Sequence, residues 1–239
     1  MNKTGLIMAA IEIVKPAVDV GFQTNRWAEH EPFWRDQVGL PYNHLLKVGG
    51  GVHQHRFDLH GAVCKVNSVR ADLALDEPTG YRSLTIAGPG GRSGRVETPD
   101  GTVIQMVEPA SLPDGICTVV GIDATNVAAT TDALAALGAE PTGAGMRIGE
   151  TLLDVRAAPH RAPTNEMAAA GLRYLTIQIA DVRAAFAHAL DNGLTEGRAP
   201  IRLGDVAFFA MVRLPDGDWI ELSQRASLTG PLPDDAPRG

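Results

Sequence analysis

PDGDWIELSQ at residues 215–224 and PDGTVIQMVE at residues 99–108 are two copies of one pattern, a Pro-Asp-Gly turn that runs directly into a strand. In the later copy, Ile220 and Leu222 share one face of the strand, and Glu221 lies on the opposite face. A strand that buries one face and keeps a lone carboxylate on the other is expected to line a cavity. The repeat therefore predicts a duplicated fold of cup-shaped sheets.

The composition is that of an ordinary globular protein with a substantial core, because 44% of the 239 residues are apolar and 21% are charged. The net charge is −7 and no cluster of Lys and Arg is present, which argues against a nucleic-acid partner. The run GLIMAAIEIV (5–14) is short and interrupted by Glu12, so it predicts neither a signal peptide nor a membrane span.

The two cysteines, Cys64 and Cys117, lie far apart and form no CxxC motif. This usage favours a reduced, cytoplasmic setting, with a single disulfide left open as the alternative. The Gly-rich segment PGGRSG (89–94) lacks the spacing and the following helix of a phosphate-binding loop. No nucleotide cofactor is therefore expected.

Four units, each opening with a strand, follow one another along the chain. Their first strands are expected at 17–24, 80–87, 118–125 and 171–180. In the second unit only 19 positions separate Gly80 from Pro99, whereas 44 separate Gly171 from Pro215 in the fourth. The second unit is therefore predicted to have lost its crossover helix and one strand.

The units are expected to pair into two domains. A boundary near residues 111–115 gives a first domain at 1–112 and a second at 113–228. The remaining segment, 229–239, is predicted to be a disordered tail.

Three segments resemble the vicinal oxygen chelate superfamily, which includes glyoxalase I, bleomycin-resistance proteins, extradiol dioxygenases and methylmalonyl-CoA epimerase. They are DVGFQT…FWRDQVGL (19–40), QIADVRAAFAHALDNGL (178–194) and LPDGDWIELSQ (214–224). The resemblance implies an α+β fold of two glyoxalase-like domains, built from βαβββ-type units whose sheets curl into cups. It also implies one divalent metal ion (Fe, Mn, Zn or Ni) that binds two adjacent oxygens of a small-molecule substrate, and it is compatible with a homodimer.

The resemblance also indicates where metal ligands would lie. The first-strand position that is usually His is occupied in the four units by Asp19, Ser83, Val119 and Tyr174. The last-strand position that is usually Glu is occupied by Gln105 and Glu221. A site of two histidines and one carboxylate needs three ligands on inward faces, and neither histidine is at the family's position. Glu221 is therefore the leading candidate, either as a metal ligand or as a general base.

A histidine-rich stretch, VHQHRFDLHG (52–61), offers other ligands. On a strand, His53 and His55 share one face, and two histidines so spaced can chelate one metal together with Glu221. The alternative is that these histidines lie against a helix or solvent, since both faces of the strand are polar. Arg56, on the other face, is a candidate contact for substrate.

If the first and fourth units pair, Asp19, Gln105, Tyr174 and Glu221 are expected to meet in one pocket. Asp19 and Glu221 would then form a general acid–base pair in which one pKa is pushed upward, and Tyr174 would donate to a developing oxyanion. The expected substrate contacts are Gln23, Arg56, Gln105 and Gln178. The alternative is a polar pocket that only binds its ligand.

Lys65 and Asn67 share a face of the strand AVCKVNSV (62–69) with Val63. This pattern is typical of an ordinary sheet edge, with Lys65 within reach of an anionic substrate group.

These observations favour a lyase or isomerase that acts on a small molecule with adjacent oxygens. Glu221 or Asp19 would abstract a proton, and a metal, or Tyr174 with Gln105, would stabilise the resulting charge. Two alternatives stay open. One is an extradiol-type dioxygenase that uses Fe(II), against which the missing first-strand histidines argue; the other is a non-catalytic binding or resistance protein.

Overall fold

The computed structural model describes residues 11–233, so part of the run 5–14 and the last part of the predicted tail, 234–239, lie outside the described residues. Within the described range, no helix combines the length and apolar character needed to cross a membrane. The beginning of the predicted tail is ordered, because Leu232 is buried and the Pro233 carbonyl accepts a hydrogen bond from Arg202 at 3.2 Å.

The first unit has the complete βαβββ pattern. Its elements are β1 (Asp19–Thr24), α1 (Trp27–Pro32), β2 (Tyr42–Gly49), β3 (Val52–Leu59) and β4 (Ala62–Val69). A π-helical turn, Phe33–Val38, continues α1 and ends at Gly39, whose φ of +85° is in the left-handed region that favours glycine.

The second unit has lost its helix, as the sequence predicts. It retains β5 (Tyr81–Ala87), β6 (Gly94–Glu97) and β7 (Val103–Val107). A 3₁₀ turn at Pro89–Gly91 stands between its first two strands in place of the crossover helix. One strand is also missing relative to the first unit, which accounts for the short spacing in the sequence.

The third and fourth units are complete. The third consists of β8 (Thr118–Ala124), α2 (Val127–Ala136), β9 (Glu140–Thr142), β10 (Gly145–Ile148) and β11 (Thr151–Ala157). The fourth consists of β12 (Gly171–Gln178), α3 (Val182–Asp191), β13 (Thr195–Leu203), β14 (Ala207–Arg213), β15 (Trp219–Arg225) and α4 (Ala226–Thr229). Asn126 and Asp181 cap α2 and α3 by accepting backbone N–H bonds.

The four units combine into two sheets. One has eight strands in the order β13-β14-β15-β12-β1-β4-β3-β2, and the other has seven in the order β6-β7-β5-β8-β11-β10-β9. The first unit therefore pairs with the fourth, through antiparallel β1 and β12, and the second pairs with the third. Each sheet takes strands from both sides of residues 111–115, so the sheets do not coincide with the segments 1–112 and 113–228.

The aspartate of each Pro-Asp-Gly turn supports another unit. Asp216 accepts hydrogen bonds from the backbone N–H of Thr125, at 2.7 Å, and from its hydroxyl. Asp100 lies 2.7 Å from His30 Nε2, and Trp34 Nε1 donates to the other ring nitrogen at 3.2 Å. The two aspartates thus have structural roles, and Asp100 links the two sheets through α1.

The apolar faces of the strands form the core, as the alternation predicts. Ile220, Leu222 and Ile104 are at most 1% exposed and pack in one cluster with Phe22 and Trp34. The opposite faces of the same strands are thereby free to line the cups.

Candidate functional site

The eight-stranded sheet curls around a cavity of about 770 Å³, within the range of small-molecule sites. The first and fourth units both contribute to its lining. Polar groups form its floor and include Gln23, Gln54, Arg56, Lys65, Asn67, Tyr174 and Glu221. Apolar side chains form much of the wall and include Leu46, Val48, Val52, Met167, Ile201, Phe209, Met211 and Trp219.

Lys65 is the centre of the floor, and its side chain is only 4% exposed. Its ammonium donates to Thr176 Oγ1 at 2.7 Å and to Glu221 Oε1 at 3.0 Å. Asp19 Oδ2 lies 3.9 Å away. These four residues come from the adjacent strands β4, β12, β15 and β1, so the pairing of the first and fourth units creates the cluster.

Asp19 is a fixed, buried anion. It accepts hydrogen bonds from the backbone N–H of Val63 at 2.8 Å and from Gln178 Nε2 at 3.0 Å, and Lys15 lies 2.5 Å away. Burial alone would raise the pKa of Asp19, but Lys65 and Lys15 outweigh it and hold the pKa below its ordinary value. The sequence predicts that Asp19 and Glu221 form an acid–base pair in which one pKa is raised. The raised pKa does not belong to Asp19, because the ammonium of Lys65 lies between the two carboxylates.

Tyr174 is buried above the backbone of β1. Its hydroxyl accepts a hydrogen bond from Asn67 Nδ2 at 3.0 Å, which leaves the phenolic proton available for donation. Burial and the nearby charge of Glu221 raise the pKa of Tyr174 well above its ordinary value. The hydroxyl therefore stays neutral at physiological pH and can act as a hydrogen-bond donor.

Gly21 is required at this point because Tyr174 lies directly on it. A Cβ at Gly21 would be 2.2 Å from the Tyr174 ring. Gly21→Ala is therefore expected to displace the ring and to lower the free energy of unfolding by about 1–3 kcal/mol, as overpacking does. Urea unfolding measures this, with Gly143→Ala as control because a Cβ there meets nothing within 4 Å. Equal effects of the two substitutions would contradict the packing argument.

A chain of hydrogen bonds connects Arg56 to Tyr174 across the floor. Arg56 Nη1 donates to Gln54 Oε1 at 2.6 Å, and Gln54 Nε2 donates to Asn67 Oδ1 at 3.1 Å. Asn67 in turn donates to Tyr174. Such a chain fixes the orientation of each polar group before a ligand enters.

The structure brings together only some of the predicted substrate contacts. Gln23 and Arg56 line the cavity, whereas Gln178 is buried beneath it and holds Asp19. Gln105 lies on β7 of the other sheet, where its Nε2 donates to the Gly94 carbonyl at 3.2 Å. The expectation that Gln105 joins this pocket is wrong, because the second unit pairs with the third.

His53 and His55 do not join Glu221 either. They lie on the face of β3 opposite to Arg56, which lines the cavity. His55 stacks on Trp27 with 3.4 Å between ring centres, and burial lowers its pKa. The structure therefore does not assemble the predicted metal-ligand set of Glu221, His53 and His55.

The cavity floor does not fit a divalent metal ion. Among residues 11–233, no group of three or more His, Cys, Asp and Glu side chains is close enough to hold one. Glu221 and Asp19 instead share the ammonium of Lys65, which supplies a positive charge between them and would repel a metal cation. The two cysteines are free, and Cys64 is buried.

The seven-stranded sheet also carries a cluster of charged side chains, but this cluster is partly exposed to solvent. Arg82 forms ion pairs with Asp123 at 2.9 Å and with Asp154 at 2.7 Å. All three side chains are partly exposed, so these are surface ion pairs of modest energy. The candidate site is therefore the cavity of the eight-stranded sheet.

Solved structures share this arrangement of strands. Glyoxalase I from Zea mays matches 87% of this chain and 92% of its own, with a TM-score of 0.65 and 14% identity. A putative dioxygenase from Bacillus subtilis matches 96% of this chain and 93% of its own, with a TM-score of 0.63 and 13% identity. The chain therefore has the fold of these structures, as its sequence resemblance predicts.

The likeness at this identity concerns the fold alone. The cppA protein from Streptococcus pneumoniae also has the arrangement, with a TM-score of 0.52 and 13% identity over 89% of this chain and 99% of its own. No protein-family profile matches the sequence, and no curated protein matches it. The activity must therefore be inferred from the cavity itself.

Proposed function

We propose that this protein is a metal-independent lyase or isomerase that moves a proton on a small molecule bound in the cavity. The observation that carries the proposal is the carboxylate of Glu221, 16% exposed and in contact with the buried ammonium of Lys65. A base beside a fixed positive charge and the neutral hydroxyl of Tyr174 is suited to making and stabilising an enolate.

The reaction begins when Glu221 takes a proton from a carbon next to a carbonyl group. The electron pair of the broken C–H bond forms a C–C double bond, and the carbonyl oxygen becomes negative. Lys65 and Tyr174 stabilise that oxygen, and in a substrate with two adjacent oxygens each can hold one. Return of the proton to the former carbonyl carbon, with movement of the hydroxyl proton between the two oxygens, gives an isomer of a 2-hydroxy carbonyl substrate. Loss of a leaving group from the carbon next to the deprotonated one gives a lyase product instead.

The cavity also supports a second candidate, a non-catalytic binding protein. Its wall of Phe209, Met211 and Trp219 would hold an apolar ligand without any chemistry. An extradiol dioxygenase is less well supported, because Lys65 occupies the position between the two carboxylates that an Fe(II) ion would need.

Hydrogen exchange with solvent tests the proposal. The protein is incubated in D₂O with small 2-oxo acids, 2-hydroxy ketones and 1,2-diketones, and NMR follows deuterium at the carbon next to the carbonyl. We expect catalysed exchange that survives treatment with EDTA. Binding without exchange would support the second candidate, and activity that EDTA abolishes and Fe(II), Mn(II), Zn(II) or Ni(II) restores would overturn metal independence.

A further inference from the structure

The charge of the cavity is opposite to that of the whole chain. Among the described residues that line it, Glu221 is the only acidic one. The basic ones are Arg56, Lys65, Arg198, Arg202 and Arg225. The complete chain, in contrast, has a net charge of −7. A cationic cavity in an acidic protein selects anionic ligands and attracts them.

Two of these basic groups already have anionic partners. Lys65 contacts Glu221, and Arg202 Nη2 lies 2.9 Å from Asp205 Oδ1. Arg56 and Arg225, in contrast, have no carboxylate within 4.0 Å among residues 11–233. Their positive charge is available to a ligand.

Arg56 is unusual because its side chain is buried without an ionic partner. The residue is 5% exposed, and its guanidinium donates to the neutral amide oxygen of Gln54. Burial and then the charge of Arg225 lower the pKa of Arg56, so the two guanidinium groups are close enough to repel each other. A buried, unpaired charge costs free energy, and an anion between the two groups would offset that cost.

Arg56 lies beside Lys65, whereas Arg225 is set apart from Glu221 along its strand. Arg56 is the cross-strand partner of Lys65, and Arg225 lies four residues beyond Glu221 on the same face of β15. Four strand residues span about 13 Å, roughly the length of a small organic molecule. An acid group near Arg225 and Arg56 would leave the rest of the ligand between Glu221 and the apolar wall.

We propose that the cavity binds an organic anion with an apolar body, whose carboxylate or phosphate group lies between Arg56 and Arg225. This inference rests on the proposed function, because it names the substrate class of the same cavity. The body lies against the apolar wall that includes Met211 and Trp219, and the reacting carbon reaches Glu221.

Two matched pairs of probes test the inference, benzoate against benzamide and phenyl phosphate against phenol. Binding is followed by quenching of tryptophan fluorescence, with Trp219→Phe to assign the signal to the cavity. We expect each acid to bind about tenfold or more tightly than its neutral partner, as charge-assisted hydrogen bonds predict. A preference for benzoate or for phenyl phosphate identifies the acid group as carboxylate or phosphate.

Arg56→Gln and Arg225→Gln are expected to remove this preference, whereas Arg95→Gln leaves it unchanged because Arg95 is exposed on β6 of the other sheet. Arg225 is only partly buried, so its variant keeps the test open if Arg56→Gln fails to fold. Equal affinities of acid and neutral probe, or acid binding untouched by both substitutions, would overturn the inference. Preferential acid binding without any hydrogen exchange would support it and refute the proposed enzyme activity instead.

Discussion

Glu221→Gln is expected to lower the turnover number for proton transfer by about 10²- to 10⁴-fold, the usual contribution of a general base. Glutamine has the same shape and can still accept a hydrogen bond from Lys65, which lies 3.0 Å from Glu221 Oε1. The substitution therefore removes the base with little change in cavity shape, so KM should change much less than kcat. Steady-state kinetics on any substrate found by hydrogen exchange measure both constants.

Two control variants separate the role of Glu221 from a general loss of charge or structure. Glu97→Gln makes the same change at an exposed position on β6 and should leave turnover unchanged. Glu221→Asp keeps the carboxylate but withdraws it by one methylene, so its turnover should lie between those of the wild type and Glu221→Gln. Full turnover in Glu221→Gln, with the fold intact by circular dichroism, would show that another group is the base.

The strands and their buried faces could be predicted from the sequence, because the alternation of apolar and polar residues along a strand is a local pattern. The face shared by Ile220 and Leu222 is buried, and the opposite face carries Glu221 into the cavity, as the residue pattern alone predicts. The lost helix of the second unit could be predicted from spacing, since 19 positions cannot hold two more elements. Both inferences depend on residues close together in the chain.

Which units pair with each other could not be predicted in the same way, because strand pairing joins residues that are far apart in the chain. Nothing local to β1 shows that it pairs with β12 rather than with β5 or β8. The placement of Gln105 was wrong for this reason, since its own face was correctly identified but its unit joins the other sheet. An alternation with a period of two residues identifies the face of the strand on which a side chain lies, but it does not identify which strand pairs with it.

The site was predicted only in part. β3 is polar on both faces, and the stacking of His55 on Trp27 that settles its orientation is not visible in a linear pattern. Lys65 was missed as the centre because its contact with Glu221 joins residues 156 positions apart. The sequence signal that points to Lys65 is a lysine flanked by the apolar residues Cys64 and Val66. The structure shows both of these residues fully buried on a central strand, with Lys65 facing the cavity.

Lys65→Met is expected to be the most destabilising single change in the site, lowering the free energy of unfolding by about 3–5 kcal/mol at neutral pH. The ammonium compensates Asp19, which is buried, and Glu221, whose side chain is 16% exposed. Methionine fills a similar volume without the charge, so the loss is electrostatic rather than a cavity effect. Urea unfolding measures it, and Lys47→Met, on the exposed side of β2, is the matched control.

The pH dependence of that loss identifies its cause. In the wild type the pKa of Asp19 is lowered in the folded state, so its contribution to stability is present above the ordinary carboxyl value of about 4 and is lost as the pH falls through the folded pKa. Without Lys65, burial is opposed mainly by Lys15, and the folded pKa of Asp19 rises. The stability difference between the two proteins should therefore be largest at neutral pH. It should shrink on acidification, because Asp19 of the variant binds its proton at a higher pH than Asp19 of the wild type.

Asp19→Asn provides the complementary measurement. In the wild-type background it leaves Lys65 with Glu221 alone, whereas in Lys65→Met it removes a buried carboxylate that has lost one of its two lysine partners. The double variant should therefore be more stable than the sum of the two single losses predicts, by about 0.5–3 kcal/mol of coupling energy. Strict additivity, together with a Lys65→Met loss that is constant with pH, would show that Lys65 acts through packing and not through its charge. In that case the electrostatic argument against a metal ion between Asp19 and Glu221 would also fail, because it depends on the same ammonium.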